Sequence, residues 1–97
     1  MAGRFDPNVA KKHLAAHIAR LRSMSYAALA DKVKRRDIET YAVEEPDGAS
    51  YQLEILFLWD DKPDGDIRVM GFGFMNPSGR SVTDDFIIAA DGQFVGE

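Results

Sequence analysis

The stretch Ser50-Tyr51-Gln52-Leu53-Glu54-Ile55-Leu56-Phe57-Leu58-Trp59 decides the fold. Tyr51, Leu53, Ile55, Phe57 and Trp59 fall at every second position. That is the period of a β-strand that buries one face. The intervening Gln52, Glu54, Leu56 and Leu58 begin polar and end apolar, so the opposite face is not simply solvent-facing. Outward from this strand, turn chemistry brackets further strands. Pro46-Asp47-Gly48 separates it from a strand over 38–45. Asp60-Asp61-Lys62-Pro63-Asp64-Gly65 separates it from a strand over 66–75. Asn76-Pro77-Ser78-Gly79 leads into a strand over 81–89, and Asp91-Gly92 allows one more reversal into a short Phe94-Val95 edge. Short turns between successive strands predict an antiparallel meander of four to five strands.

Upstream the period changes to that of a helix. Asp6-Pro7 supplies a cap and a residue suited to the first helical turn. Ala10, Leu14, Ile18 and Leu21 then form an apolar stripe. Ser23-Met24-Ser25 reads as a break with a fresh cap. Tyr26, Leu29, Ala30 and Val33 line a second helix that ends in Arg35 and Arg36, where positive charge suits the helix dipole. A single bent helix over 7–35 is the alternative. The expectation is an α+β domain spanning 1–97. Its N-terminal helix or helix pair packs on the Tyr51–Trp59 face of a curved antiparallel meander.

Ninety-seven residues at 45% hydrophobic and 29% charged fit one ordinary globular domain. The absence of cysteine excludes disulfides, thiolate metal sites and a cysteine nucleophile. With no secretory h-region and no long apolar run, a soluble cytoplasmic protein without membrane contact is expected. The net charge of −4 hides an asymmetry. Residues 1–36 hold nine basic and two acidic side chains, a net +7, and residues 37–97 hold three basic and fourteen acidic ones, a net −11.

Tyr51-Gln52-Leu53-Glu54-Ile55, Trp59-Asp60-Asp61-Lys62-Pro63, Asp66-Ile67-Arg68-Val69 and Asp91-Gly92-Gln93-Phe94-Val95-Gly96-Glu97 resemble a family of small uncharacterised bacterial proteins, a domain of unknown function. Ser25-Tyr26-Ala27 with Leu29 is similar too. The resemblance covers most of the chain and departs around residues 71–82. It implies a bacterial cytoplasmic protein and carries no activity with it.

Motifs for chemistry are sparse. His13 and His17, four apart on one helical face, have the spacing of a metal pair, but Leu14-Ala15-Ala16 lies between them and no third ligand is near in sequence. A structural or interfacial role is expected for both. Asp60, Asp61, Asp64 and Asp66 crowd one turn without the spacing of a calcium loop, and hairpin chemistry already accounts for Pro63-Asp64-Gly65. Gly71-Phe72-Gly73 lies inside a strand, where glycine marks a bend or a close approach by another element. The motifs assemble no catalytic set and no cofactor or metal site.

Three surfaces remain as candidates. Leu56, Leu58, Met70, Phe72 and Phe74 are candidate interface residues on the second sheet face. An apolar face this size rarely stays open; a homodimer through that face is the expected assembly, and a sheet curled strongly enough to bury both faces within the monomer is the alternative. His17, Tyr41 and Arg68 are candidate polar groups of a pocket between helix and sheet. Lys32, Lys34, Arg35 and Arg36 form a candidate anion patch. Specific nucleic-acid binding is not expected, because the recognition helix that would complete a helix-turn-helix is missing and the second half is acidic. The first expectation is therefore a non-enzymatic binding or interaction module acting as a homodimer. The alternative is a small-ligand-binding protein or small enzyme with a pocket between helix and sheet.

Overall fold

The computed structural model describes residues 4–75 and 79–97. Two helices, α1 (Pro7–Arg22) and α2 (Tyr26–Arg35), precede four strands, β1 (Ile38–Glu44), β2 (Ser50–Trp59), β3 (Ile67–Phe74) and β4 (Ser81–Ile88). The strands pair antiparallel in chain order, β1-β2-β3-β4. The fold is thus α+β, with the helices on one face of an open four-stranded sheet. The expected fifth strand is reduced to an isolated bridge between Ile88 and Phe94. Of the expected Asn76–Gly79 turn, Asn76, Pro77 and Ser78 lie outside the described residues.

Caps separate the two helices. The Asp6 carboxylate accepts the Asn8 N–H at 2.9 Å and Pro7 opens α1. The Ser25 hydroxyl accepts the Ala28 N–H at 3.1 Å and opens α2. Two tyrosines fasten the helix starts to the sheet. The Tyr51 hydroxyl, above a fully buried ring, accepts the Asp6 N–H at 3.0 Å. The Tyr26 hydroxyl donates to the Gly65 carbonyl at 2.7 Å, in the β2–β3 turn.

The core lies between the helices and one sheet face. Leu14, Ile18 and Leu21 of α1 and Leu29, Ala30 and Val33 of α2 pack with Leu53, Ile55 and Phe57 of β2, Ile67 and Val69 of β3, and Phe86 and Ile88 of β4. A second cluster of Phe5, Ala10, Ala49 and Tyr51 closes the end near the start of α1. In β3 this face is completed by Gly71 and Gly73, not by large side chains. A Cβ built on Gly71 would stand 2.7 Å from Leu14 Cδ1 and 3.1 Å from Ile18 Cδ1. The glycines therefore make room for α1, one of the two uses that glycine in a strand suggests.

Candidate functional site

The face of the sheet away from the helices gathers the candidate interface residues. Register places Ile38, Leu56 and Met70 in one row, Leu58, Arg68 and Ile87 in the next, Glu54 opposite Phe72, and Gln52 opposite Phe74. All five expected residues (Leu56, Leu58, Met70, Phe72 and Phe74) share this face, joined by Ile38 and Ile87. Leu58 and Ile38 are the most open of the described large hydrophobics, at 44% and 60% exposure. The others are half-buried against one another. Among the described residues both helices lie on the opposite face, and no element covers this one. Thr40, Gln52, Glu54 and Thr83 add polar groups in and around the patch.

Arg68 sits in this open face. Its Nε donates to Asp60 at 2.9 Å and its Nη1 to Asp85 at 2.7 Å. The expected pocket trio therefore does not assemble. Tyr41 opposes Leu53 and so points to the helix side, whereas Arg68 opposes Leu58 and points away. His17 and Tyr41 do meet, with stacked rings 4.0 Å between centroids. Their contact is one rung of a polar seam joining α1 to the edge strand. Arg20 Nη2 donates to Glu39 at 2.9 Å, and His13 Nε2 lies 2.6 Å from Glu45 Oε1. Positions 20, 17 and 13 of α1 thus meet 39, 41 and 45 of the β1 segment in antiparallel order. Both histidines are used in this seam. Among the described residues no group of three or more His, Cys, Asp or Glu side chains is placed to hold a metal ion.

The four basic residues at the end of α2 do not stand as one anion patch. Successive helical residues point about 100° apart, and the four separate accordingly. Lys32 turns inward, with Nζ 2.8 Å from Glu39 Oε2 and 5.3 Å from the centroid of the Phe57 ring. Arg35 pairs with Asp37 at 3.0 Å. Lys34 lies 3.8 Å from Asp64, with both side chains mostly in water. Arg36 ends the helix in the left-handed region at φ 58°. The positive helices and negative sheet are stitched together by these pairs and by Arg20–Glu39 and Arg22–Glu97.

Glu39 is the hub. Burial works to raise its carboxyl, but hydrogen bonds from Lys32, Tyr41 and Arg20 outweigh this and hold it at about 2, below the ordinary 4.5. A carboxylate whose pKa falls on folding stabilises the native state above its unfolded pKa and loses that contribution as pH drops through the folded value. After allowance for solvent screening of this partly exposed group, Glu39 should thus contribute ~2 kcal/mol above pH 5, lost between about pH 4.5 and 2. Urea unfolding of the parent and of Glu39→Gln across this range should show a gap that closes toward pH 2. A gap that stays constant with pH would contradict the network. For His17, burial and then the nearby Arg20 lower the imidazole below its usual value, so it stacks as a neutral ring near pH 7.

A groove lies at the far corner of the sheet, beside the end of α2. It has a volume of about 530 Å³, with Val33, Ile38, Leu58 and Trp59 in its walls and Lys34 and Arg36 at its rim. The sequence pattern gave no sign of it, because its walls come from three elements whose relative placement no local period encodes.

Comparison with family models, curated proteins and solved structures finds no match. No helix among the described residues is long and apolar enough to cross a membrane.

Proposed function

We propose that this chain is a non-enzymatic binding module that works as a homodimer, two copies meeting through the open faces of their sheets. The carrying observation is the apolar patch centred on Leu56, Met70 and Phe72, with both helices committed to the other face. Four strands ~4.8 Å apart and eight residues long at ~3.3 Å each give a face of roughly 500 Å² in projection, more with side-chain relief. This is the order of the ~800 Å² per partner that a standard interface buries. Apolar side chains interspersed with Glu54, opposite Phe72, and with Arg68, paired to Asp60 and Asp85, suit the mixed composition of a protein interface. A two-fold axis would present the same patch on both partners and close the assembly. The use of His13, His17, Lys32 and Arg68 in structural pairs supports a binding role over a catalytic one. The bacterial source and cytoplasmic location implied by the motif resemblance belong to the same proposal.

Light scattering on a concentration series should give twice 10.8 kDa. Phe72→Glu, which puts a charge in the middle of the patch, should shift the protein to monomer with its circular dichroism retained. A parent of 10.8 kDa at high concentration overturns the reading. So does a Phe72→Glu dimer as tight as the parent's.

A further inference from the structure

At the groove corner β2 outruns its neighbour. β1 begins at Ile38, opposite Leu56. Phe57, Leu58 and Trp59 therefore have β3 on one side and no strand on the other. Uncovered strand edge presents unpaired N–H and C=O groups, a template for another chain. The connection from α2 to β1 turns away at this point through the left-handed Arg36, and the groove of about 530 Å³ lies between that connection and the overhang. Its apolar walls include Ile38 and Leu58, at 60% and 44% exposure.

The rim is net positive. Asp37, its one acid, is matched by Arg35 at 3.0 Å and Lys32 at 3.9 Å. Among the described residues Lys34 pairs with the solvent-exposed Asp64 alone, at 3.8 Å, and such pairs bind weakly. Arg36 has no ion-pair partner among the described residues.

We infer that this groove is a strand-addition site for a short acidic peptide from another molecule. Two or three extended residues span the free edge of Phe57–Trp59, about 10 Å at ~3.3 Å per residue, and bond the outward main-chain groups of Phe57 and Trp59, since those of Leu58 turn toward β3. Strand periodicity assigns the side chains. The peptide residue opposite Leu58 lies on the open face and is apolar. Its neighbours point toward the end of α2 and carry the carboxylates that Arg36 and Lys34 receive. The ligand pattern is thus an alternation of apolar and acidic residues. The chain's own Phe94–Glu97 has similar chemistry but is engaged elsewhere, since the Val95 N–H donates to the Ile87 carbonyl at 2.8 Å and Glu97 pairs with Arg22 at 2.7 Å.

The test is an array of acetylated, amidated hexapeptides with Val, Leu or Phe at alternate positions and Asp/Glu, Lys/Arg or Ser/Thr between them, alongside scrambled forms. The acidic alternating set should be retained. Titrating its best member should move the amide resonances of Phe57, Leu58 and Trp59. Arg36→Gly combined with Lys34→Ser should weaken binding tenfold or more. Glycine suits the left-handed backbone at position 36, so an unchanged or raised melting temperature shows that the loss is not unfolding. Retention of no peptide class, equal retention of basic peptides, resonance changes confined elsewhere or unchanged binding by the variant would each overturn the inference. So would a simple aliphatic carboxylate that matches the peptide's affinity, which would make the groove a small-acid site. The groove shares Ile38 and Leu58 with the proposed dimer face, so the monomeric Phe72→Glu variant should bind the peptide at least as tightly as the parent; loss of the dimer without loss of peptide binding separates failure of the one from failure of the other.

Discussion

Truncating Phe57 to alanine should cost ~3–5 kcal/mol, the range for removing a buried aromatic ring. Phe57 is 4% exposed and packs in the main cluster between the helices and β2. Two separate losses combine. One is the transfer of a large ring plus the cavity it leaves. The other is the platform on which Lys32 rests, since that ammonium lies 5.3 Å from the ring centroid while it reaches Glu39. A domain of this size has ~5–15 kcal/mol in total. The variant should therefore unfold at a much lower urea concentration with an unchanged slope. A loss under ~1 kcal/mol would mean that the odd-numbered face of β2 does not carry the core.

That face was the most legible part of the sequence. Five large residues at strict alternation in 51–59 mark the side that carries the core, and the four residues from Ala10 to Leu21 mark one helical stripe. The caps at Asp6 and Ser25 are local chemistry and were equally readable. The third strand was not. Its large side chains, Met70, Phe72 and Phe74, lie on the open face, and its helix side from 71 onward carries two glycines. Size alone therefore gives no reason to prefer one face, and the answer depends on how closely α1 approaches. The polar seam escaped for a similar reason. His13 and His17 were visibly on one helical face, but their partners Glu45 and Tyr41 lie some 24 to 32 residues away. Only the crossing of α1 over the sheet brings them together. Period two puts Arg68 on the same face of the third strand as Met70 and Phe72. Grouping it with Tyr41 in a pocket required the opposite parity, and the register rules that out. The basic residues 32–36 looked like a patch in one dimension. Winding them on a helix sends Lys32 to Glu39 and leaves Arg36 at the groove.

The approach of α1 to β3 leads to the second large effect, that of Gly71→Val. The strand passes directly beneath α1 at this residue. Its missing side chain is matched by Leu14, which is fully buried. A single Cβ there would lie 2.7 Å from Leu14 Cδ1, 3.1 Å from Ile18 Cδ1 and 3.1 Å from the Asp84 carbonyl oxygen. A lone methyl could be met by turning Leu14. The two further methyls of valine would push against both α1 side chains and the β4 backbone at once. Overpacking of this kind costs ~1–3 kcal/mol and occasionally more, and the backbone contact with Asp84 places this case at the upper end, on the order of 3 kcal/mol. The neighbouring glycine provides the control. A Cβ on Gly73 meets Val82 Cγ2 at 3.1 Å, Leu53 Cδ2 at 3.3 Å and Ala10 Cβ at 3.7 Å, all of them side-chain atoms. Gly73→Ala also removes the ~0.5–1 kcal/mol entropic penalty of glycine in a strand, so it should fall within ~1 kcal/mol of the parent. Urea unfolding of the two variants measures the difference. Adding Leu14→Ala to Gly71→Val should recover part of the loss, because the cavity of one accepts the bulk of the other and contacting residues couple. A Gly71→Val variant as stable as Gly73→Ala would show that α1 does not rest on the middle of β3.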